Sequence, residues 1–316
     1  MNVDALVERY ITHRKALGAR FRTASHTLRS FSTTVGTTTN ISEVRPDQVA
    51  AFLYRPGPVT RAWHGQHATL AVFFRYAVSR GYLSAAPLPS FVPKVTRRFV
   101  PYIYSHDDLR RLFQATAGCP FVVRSGIQPC TMRTLLLLLY AAGLRISEAI
   151  ALNHGDVDLT TCVLTVRRTK FFKTRLVPFG STLAKALMEY SDRPHRATTC
   201  REPSSPFFAT KKDKRLCQMT VQRLFQRIRE HSGVKRDSNS SYQPRLHDLR
   251  HTFAVHRLTA WYRDGQDVQR LLPYLSTYMG HRRLSGTMFY LTMTPDVLQE
   301  ANKRFENYFM ETNNDD

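Results

Sequence analysis

Val3, Leu6, Val7, Tyr10 and Ile11 recur at the i, i+3, i+4, i+7, i+8 spacing of a helical stripe, and the pattern ends at Gly18. Leu28, Phe31 and Val35 predict a second helix, closed by Gly36. Pro46-Asp47 opens a third, which runs through Val49, Phe52 and Leu53 until Arg55-Pro56-Gly57 stops it. A fourth spans about Val59 to Ser79, with Leu70, Phe73, Phe74 and Ala77 on one side and Gly81 at its C-terminal end. Helices in this order, with short connections, predict a small bundle over residues 1–86.

Pro87, Pro89, Pro93 and Pro101 then crowd a stretch that also holds Lys94, Arg97 and Arg98. Proline at that density predicts an extended connector, 87–101, and its cations suit contact with something anionic. From 102 the pattern changes. Ser105 and Asp107-Asp108 stand where helix caps belong, ahead of Leu109 and Leu112. Thr131 to Tyr140 (TMRTLLLLLY) predicts a fully buried helix. Short β-branched runs at Val163–Val166 and Leu176–Pro178 predict an antiparallel hairpin or three-stranded sheet. Helices follow near Leu183–Tyr190, Val221–Glu230, His247–Trp261 and Val268–Tyr278. The polar stretch Asp192–Lys214 reads as a loop with one short strand at Phe207-Phe208. The fold class is therefore mainly α with a small antiparallel sheet, in an N-terminal bundle and a larger domain over 102–316.

Charge narrows the partner. Forty-six Lys and Arg against 24 Asp and Glu give the 316-residue chain a net +22. Such an excess repels itself unless a polyanion is near, so nucleic acid leads and an anionic membrane surface is second. No apolar run approaches the roughly 20 residues that cross a bilayer, and the start lacks a signal-peptide pattern. Cys119, Cys130, Cys162, Cys200 and Cys217 are odd in number and widely spaced, which fits free thiols in a reducing compartment and neither a disulfide framework nor a zinc finger. The reading is a soluble intracellular protein.

Four polar segments in the second domain resist a purely structural account. In Gly143-Leu144-Arg145-Ile146-Ser147-Glu148 an arginine opens a helix, a place that favours anions unless Glu148 pairs with it. In His247-Asp248-Leu249-Arg250-His251 the first histidine, Arg250 and His251 project together at i, i+3, i+4. The zinc-hydrolase pattern needs glutamate after the first histidine, and Asp248 stands there instead. Met279-Gly280-His281 is followed nine residues after the histidine by Tyr290. Thr169-Lys170-Phe171-Phe172-Lys173-Thr174-Arg175 places Lys170, Lys173 and Arg175 around a hairpin tip that either grips a phosphate backbone or is simply solvated.

Arg, Lys, His/Arg, His and Tyr in that chain order, in a basic two-domain protein, resemble the tyrosine site-specific recombinases, the phage integrase family. The ordered set is specific, although Met279 replaces the leucine of the family's L-G-H element, and Thr292 follows Leu291 where many relatives carry a histidine soon after the tyrosine. The resemblance implies a SAM-like core-binding domain that clamps DNA and a catalytic domain that cuts and rejoins strands through a 3′-phosphotyrosine. It implies Tyr290 as nucleophile, Arg145 and Arg250 on the non-bridging phosphate oxygens, Lys170 as general acid, His247 assisting proton removal from Tyr290, and His281 holding the phosphate. Glu148 and His251 would support these groups, and Lys94, Arg97, Arg98, Lys173 and Arg175 would contact DNA. No metal or cofactor is required. The partners would be duplex DNA with inverted-repeat half-sites, further copies of the chain (a dimer per site, a tetramer at synapsis) and, in some systems, accessory recombinases, all on the nucleoid in a prokaryotic cytoplasm. Two other readings compete: a type IB topoisomerase, and a non-catalytic DNA-binding protein. The helical spacing of Leu298, Ala301, Phe305 and Phe309 predicts a C-terminal helix that docks on its own domain or on a neighbouring subunit.

Overall fold

In the computed structural model, which describes residues 1–316 apart from 20, 55–58, 95–99, 168–173, 194–201, 237–241, 282, 294–297, 304–305 and 307–316, the first helix α1 (Val3–Ala16) starts at a side-chain cap. Asn2 Oδ1 accepts from the Ala5 N–H at 2.8 Å, filling one of the donors that a helix start leaves open. Three more helices follow: α2 (Arg22–Val35), α3 (Pro46–Leu53), with its proline at the first turn, and α4 (Arg61–Ser79). Their predicted stripes face one another. Phe31 sits edge-on to Phe52 at 5.4 Å and to Phe74 at 5.8 Å, and Leu6, Val7, Leu28, Leu70 and Phe73 are fully buried around them.

The chain divides into two units, Met1–Phe99 and Val100–Asp316. The described part of the proline-rich connector is not free of the first. Leu88 packs against the bundle core, and the Tyr54 hydroxyl donates to the Phe91 carbonyl at 3.3 Å. Proline rules out helix there, but the extended segment still lies along the first unit.

The second unit is built around α7 (Pro129–Ala141), flanked by α5 (His106–Gly118), α9 (Ser181–Ser191) and α11 (Asp248–Arg263). A helix apolar nearly all round belongs inside. Met132, Leu135, Leu136 and Leu138 are fully buried, but Arg133 emerges to solvent, so the helix is not buried throughout as expected. Ser105 and Asp108 form a reciprocal cap for α5, each side chain accepting from the other's backbone N–H at 3.0 Å. Two short helices, α6 (Pro120–Arg124) and α8 (Ile146–Ala149), flank α7 in sequence.

The sheet has three antiparallel strands in the order β1 (Val157–Asp158), β2 (Val163–Val166), β3 (Arg175–Pro178). Leu164 pairs with Val177 and Val166 with Arg175, which puts all four on one face under the period-two rule. Helices α10 (Gln218–His231), α12 (Val268–Met279) and α13 (Ser285–Met293) also belong to the second unit. Phe207 and Phe208 do not form a strand. Isolated bridges flank them at Pro206 and Ala209, and both rings are buried beside Tyr190, so they anchor a loop to the core. Of the C-terminal stretch, the described residues 298–303 are helical. Glu300 there pairs with Arg263 of α11 at 3.0 Å, while Leu298 is half exposed.

Candidate active site

Gly143 ends the turn after α7 in the left-handed region, φ +58°, where a side chain would meet the Phe253 ring. Its carbonyl faces α11, and Arg250 Nη1 donates to it at 2.5 Å. The other terminal nitrogen of Arg250 donates to the Met279 carbonyl, at the end of α12, also at 2.5 Å. Arg250 is 2% exposed, so one buried guanidinium joins two chain ends that carry motif residues.

Arg145 stands at the N-cap of α8. Its Nη1 donates to Glu148 Oε1 at 2.8 Å, its backbone N–H to Glu148 Oε2 at 3.0 Å, and its Nη2 to the Gly280 carbonyl at 3.1 Å. Glu148 also takes a second arginine. Arg175, on β3, donates from both terminal nitrogens to the carboxylate at 3.0 and 2.8 Å, and from Nε to the Tyr278 carbonyl at 3.0 Å. Gly280 caps α12 with φ +66°, and a Cβ there would lie 2.9 Å from Arg175 Nη1. The left-handed backbone suits glycine, and a methyl there would press on this hydrogen-bonded guanidinium.

Past that turn, His281 Nδ1 lies 2.8 Å from Thr287 Oγ1. Tyr290, on α13, is 3% exposed, and its hydroxyl lies 3.0 Å from His251 Nδ1. The ring of His247, the residue before α11, meets that of His251 edge-on at 4.9 Å. Asp248 accepts from the Arg245 backbone N–H at 2.9 Å and from its guanidinium at 3.0 Å, so its carboxylate pins the turn that leads into the helix.

The electrostatics follow from burial among cations. Burial, then Arg250, Arg245 and Arg145, holds His247 below its ordinary range. Burial and neighbouring imidazoles and guanidiniums bring His251 to about 3 and His281 to about 4. These rings are neutral at pH 7. Burial lowers Arg250 to about 10, which leaves it charged. Burial raises the Tyr290 hydroxyl, with Arg250 and Arg145 pulling the other way. Burial alone would raise Glu148, but the Arg175 fork and Arg145 bring it down to about 2.

Of the residues singled out from sequence, Arg145, Glu148, His247, Arg250, His251, His281 and Tyr290 come together here. Lys170, Lys173, Arg97 and Arg98 lie outside the described residues, and Lys94 is exposed in the first unit. Arg175 does not behave as a surface DNA contact. Its side chain is 12% exposed and its guanidinium is taken up by Glu148 and Tyr278. Strand alternation carried the signal: Arg175 shares a face with buried Val177, while Leu176 between them is 64% exposed. The partner given to the Tyr290 hydroxyl also changes, from His247 to His251, one helical turn further on. Thr287 escaped sequence reasoning, because nothing local marks a threonine as a partner of His281.

Known proteins share this chain's sequence pattern and fold. The phage integrase family profile matches residues 103–296. The Sinorhizobium fredii protein named "Putative integrase/recombinase y4rB" is 33% identical over 302 residues, covering 95% of this chain and 96% of its own length. Among solved structures, the fold resembles the Tn1549 transposon integrase in complex with transposon right end DNA (TM-score 0.70, 16% identity, 97% of this chain and 99% of that one). It also resembles a lambda integrase tetramer bound to a Holliday junction (TM-score 0.65, 17% identity, 90% and 78%). The chain belongs to the phage integrase family and is a tyrosine recombinase, an enzyme of site-specific recombination that cuts and rejoins DNA.

Proposed function

We propose that Tyr290 is the nucleophile of this recombinase and that Arg145 and Arg250 flank the scissile phosphate. The observation that carries the reading is the meeting of a buried tyrosine, two arginines and three neutral histidines drawn from separate stretches of the chain. Attack by the tyrosine oxygen stores the phosphodiester bond as a 3′-phosphotyrosine, so rejoining needs no external energy source. The phosphorane that forms carries extra negative charge. Planar guanidinium forks suit it because they stay charged and donate paired hydrogen bonds. His281 and His247 lie on the phosphate side as neutral hydrogen-bonding groups, and Lys170 protonates the leaving 5′-oxygen. Glu148 keeps the Arg145 fork in one orientation.

The substrate is duplex DNA with inverted-repeat half-sites, bound by one copy of the chain per half-site and by four at synapsis. The lambda integrase tetramer on a Holliday junction supports that stoichiometry by its fold alone. The Tn1549 likeness supports a mobile element as the setting, with integration, excision or transposition as the task. The N-terminal unit and Lys94, Arg97, Arg98 and Lys173 add affinity for the DNA backbone.

Tyr290→Phe tests the assignment, because it deletes one oxygen and keeps the ring. On a nicked site that traps the covalent intermediate, the variant is expected to bind DNA as before and to form no protein–DNA adduct on a denaturing gel. An adduct that persists, mapped by mass spectrometry to Tyr274, Tyr278 or Ser285, would move the active site.

A further inference from the structure

The Tyr290 hydroxyl is held by a side chain to which phosphate binding assigns no task. His251 Nδ1 lies 3.0 Å from the tyrosine oxygen, and the two rings meet at 5.6 Å with 60° between their planes. α11 sets this contact. His251 immediately follows Arg250, whose own side chain reaches the Gly143 and Met279 carbonyls. One helical turn thus presents a phosphate ligand and a partner for the nucleophile on adjoining positions.

We propose that His251 is a catalytic residue: its Nδ1 accepts the Tyr290 hydroxyl proton as that oxygen attacks phosphorus. The proposal rests on Tyr290 being the nucleophile. In the step, the bond from the tyrosine oxygen to phosphorus forms and the bond from phosphorus to the 5′-oxygen breaks. The tyrosine proton passes to His251, and the leaving oxygen takes a proton from Lys170. Rejoining runs the same transfers backwards, so the imidazole is neutral again at the end.

The surroundings leave the ring unprotonated, open to a proton but a weak base until negative charge arrives. Burial, His247 and Arg245 just before α11, Arg250 within it, and His281 beyond α12 all hold the ring deprotonated. With the hydroxyl donating to Nδ1, the imidazole proton resides on Nε2. The arriving phosphodiester brings negative charge into a site of cations, which favours the imidazolium that proton transfer creates. A purely structural account is the competitor: the hydrogen bond merely fixes a buried tyrosine. The two differ in what a non-basic substitute does. Glutamine keeps an acceptor oxygen for the hydroxyl but does not take its proton.

The experiment uses the full-length chain on a nicked site, with His251→Ala, His251→Gln and Tyr290→Phe compared from pH 6 to 9. For both His251 variants the expected result is unchanged DNA binding and adduct formation slowed roughly 10²-fold at pH 7, the usual contribution of a positioned base. Their rates should climb tenfold per pH unit where the parent is flat, because tyrosine must then ionise unaided. Added imidazole should restore part of the rate in His251→Ala. Adduct formation by His251→Gln at the parent rate, with the parent's flat profile, overturns the proposal and leaves a positioning bond. So does slowing of His251→Ala with neither a pH slope nor imidazole rescue. If His251→Ala does not fold, His251→Gln decides alone. An adduct in Tyr290→Phe marks a different failure, that of the nucleophile assignment itself.

Discussion

Glu148 pairs with two arginines at once, and its neighbours show how. Its side chain is 6% exposed and that of Arg175 12%, so this ion pair sits largely out of water, where removing one partner strands the other. Glu148→Gln is expected to destabilise the protein by about 3 kcal/mol, the low end for breaking a buried pair, since the amide oxygen still accepts one bond. Urea unfolding at pH 7 checks it. The same residue makes a pH prediction. Its folded value, about 2, lies below the ordinary 4.5, so the stability it contributes is complete above about pH 5 and is lost as pH falls from there through about 2. Melts from pH 6 down to 3 should show a decline that Glu148→Gln flattens. A substitution that alters activity but neither the midpoint nor its acid slope would mean that this carboxylate is not the clamp between Arg145 and Arg175.

At the scale of elements, the site is assembled at chain reversals. The turn after α7 and the end of α12 are both glycine-capped, and both offer carbonyls to the buried Arg250. Gly143→Ala would force a left-handed alanine and push its methyl into Phe253, which is 7% exposed on α11. Left-handed strain of about 1–2 kcal/mol and overpacking of about 1–3 kcal/mol predict a loss of roughly 2–5 kcal/mol. Cleavage should fall more than the lost stability explains, because the carbonyl that orients Arg250 moves with the turn. Denaturant melts alongside adduct assays on the folded fraction separate the two effects. Equal activity per folded molecule would show that Arg250 does not depend on that carbonyl.

The whole molecule divides at Phe99–Val100, with a separate hydrophobic core in each unit. The excess of 22 positive charges makes DNA affinity a matter of counterion release, so its logarithm should fall with the logarithm of salt at a slope of about −0.9 per phosphate neutralised. A fragment of residues 100–316 is expected to fold, to bind DNA more weakly, and to show a shallower slope. Fluorescence anisotropy across a salt series measures both. Undiminished affinity in the fragment would remove the N-terminal unit from the DNA-binding surface. Among the described residues no helix is long and apolar enough to cross a membrane.

Much of this was legible in the one-dimensional pattern. The stripes of α1 to α4, the caps of α5, the apolar α7 and the strand runs are local, because period and capping act within a few residues of each position. The motif residues Arg145, His247, Arg250, His281 and Tyr290 were found from their order in the chain, since each sits in a short segment of recognisable composition. Partners were another matter. That Arg175 turns inward to Glu148 and Tyr278, and that His251 and not His247 reaches Tyr290, depend on segments up to about a hundred residues apart being brought within 3 Å. Charge and hydropathy along the chain set what each residue can do. Only the packing of α11 and α12 against β3 and the α7–α8 turn decided which cation faces water and which closes on a buried carboxylate, because desolvation and pairing are properties of the assembled neighbourhood.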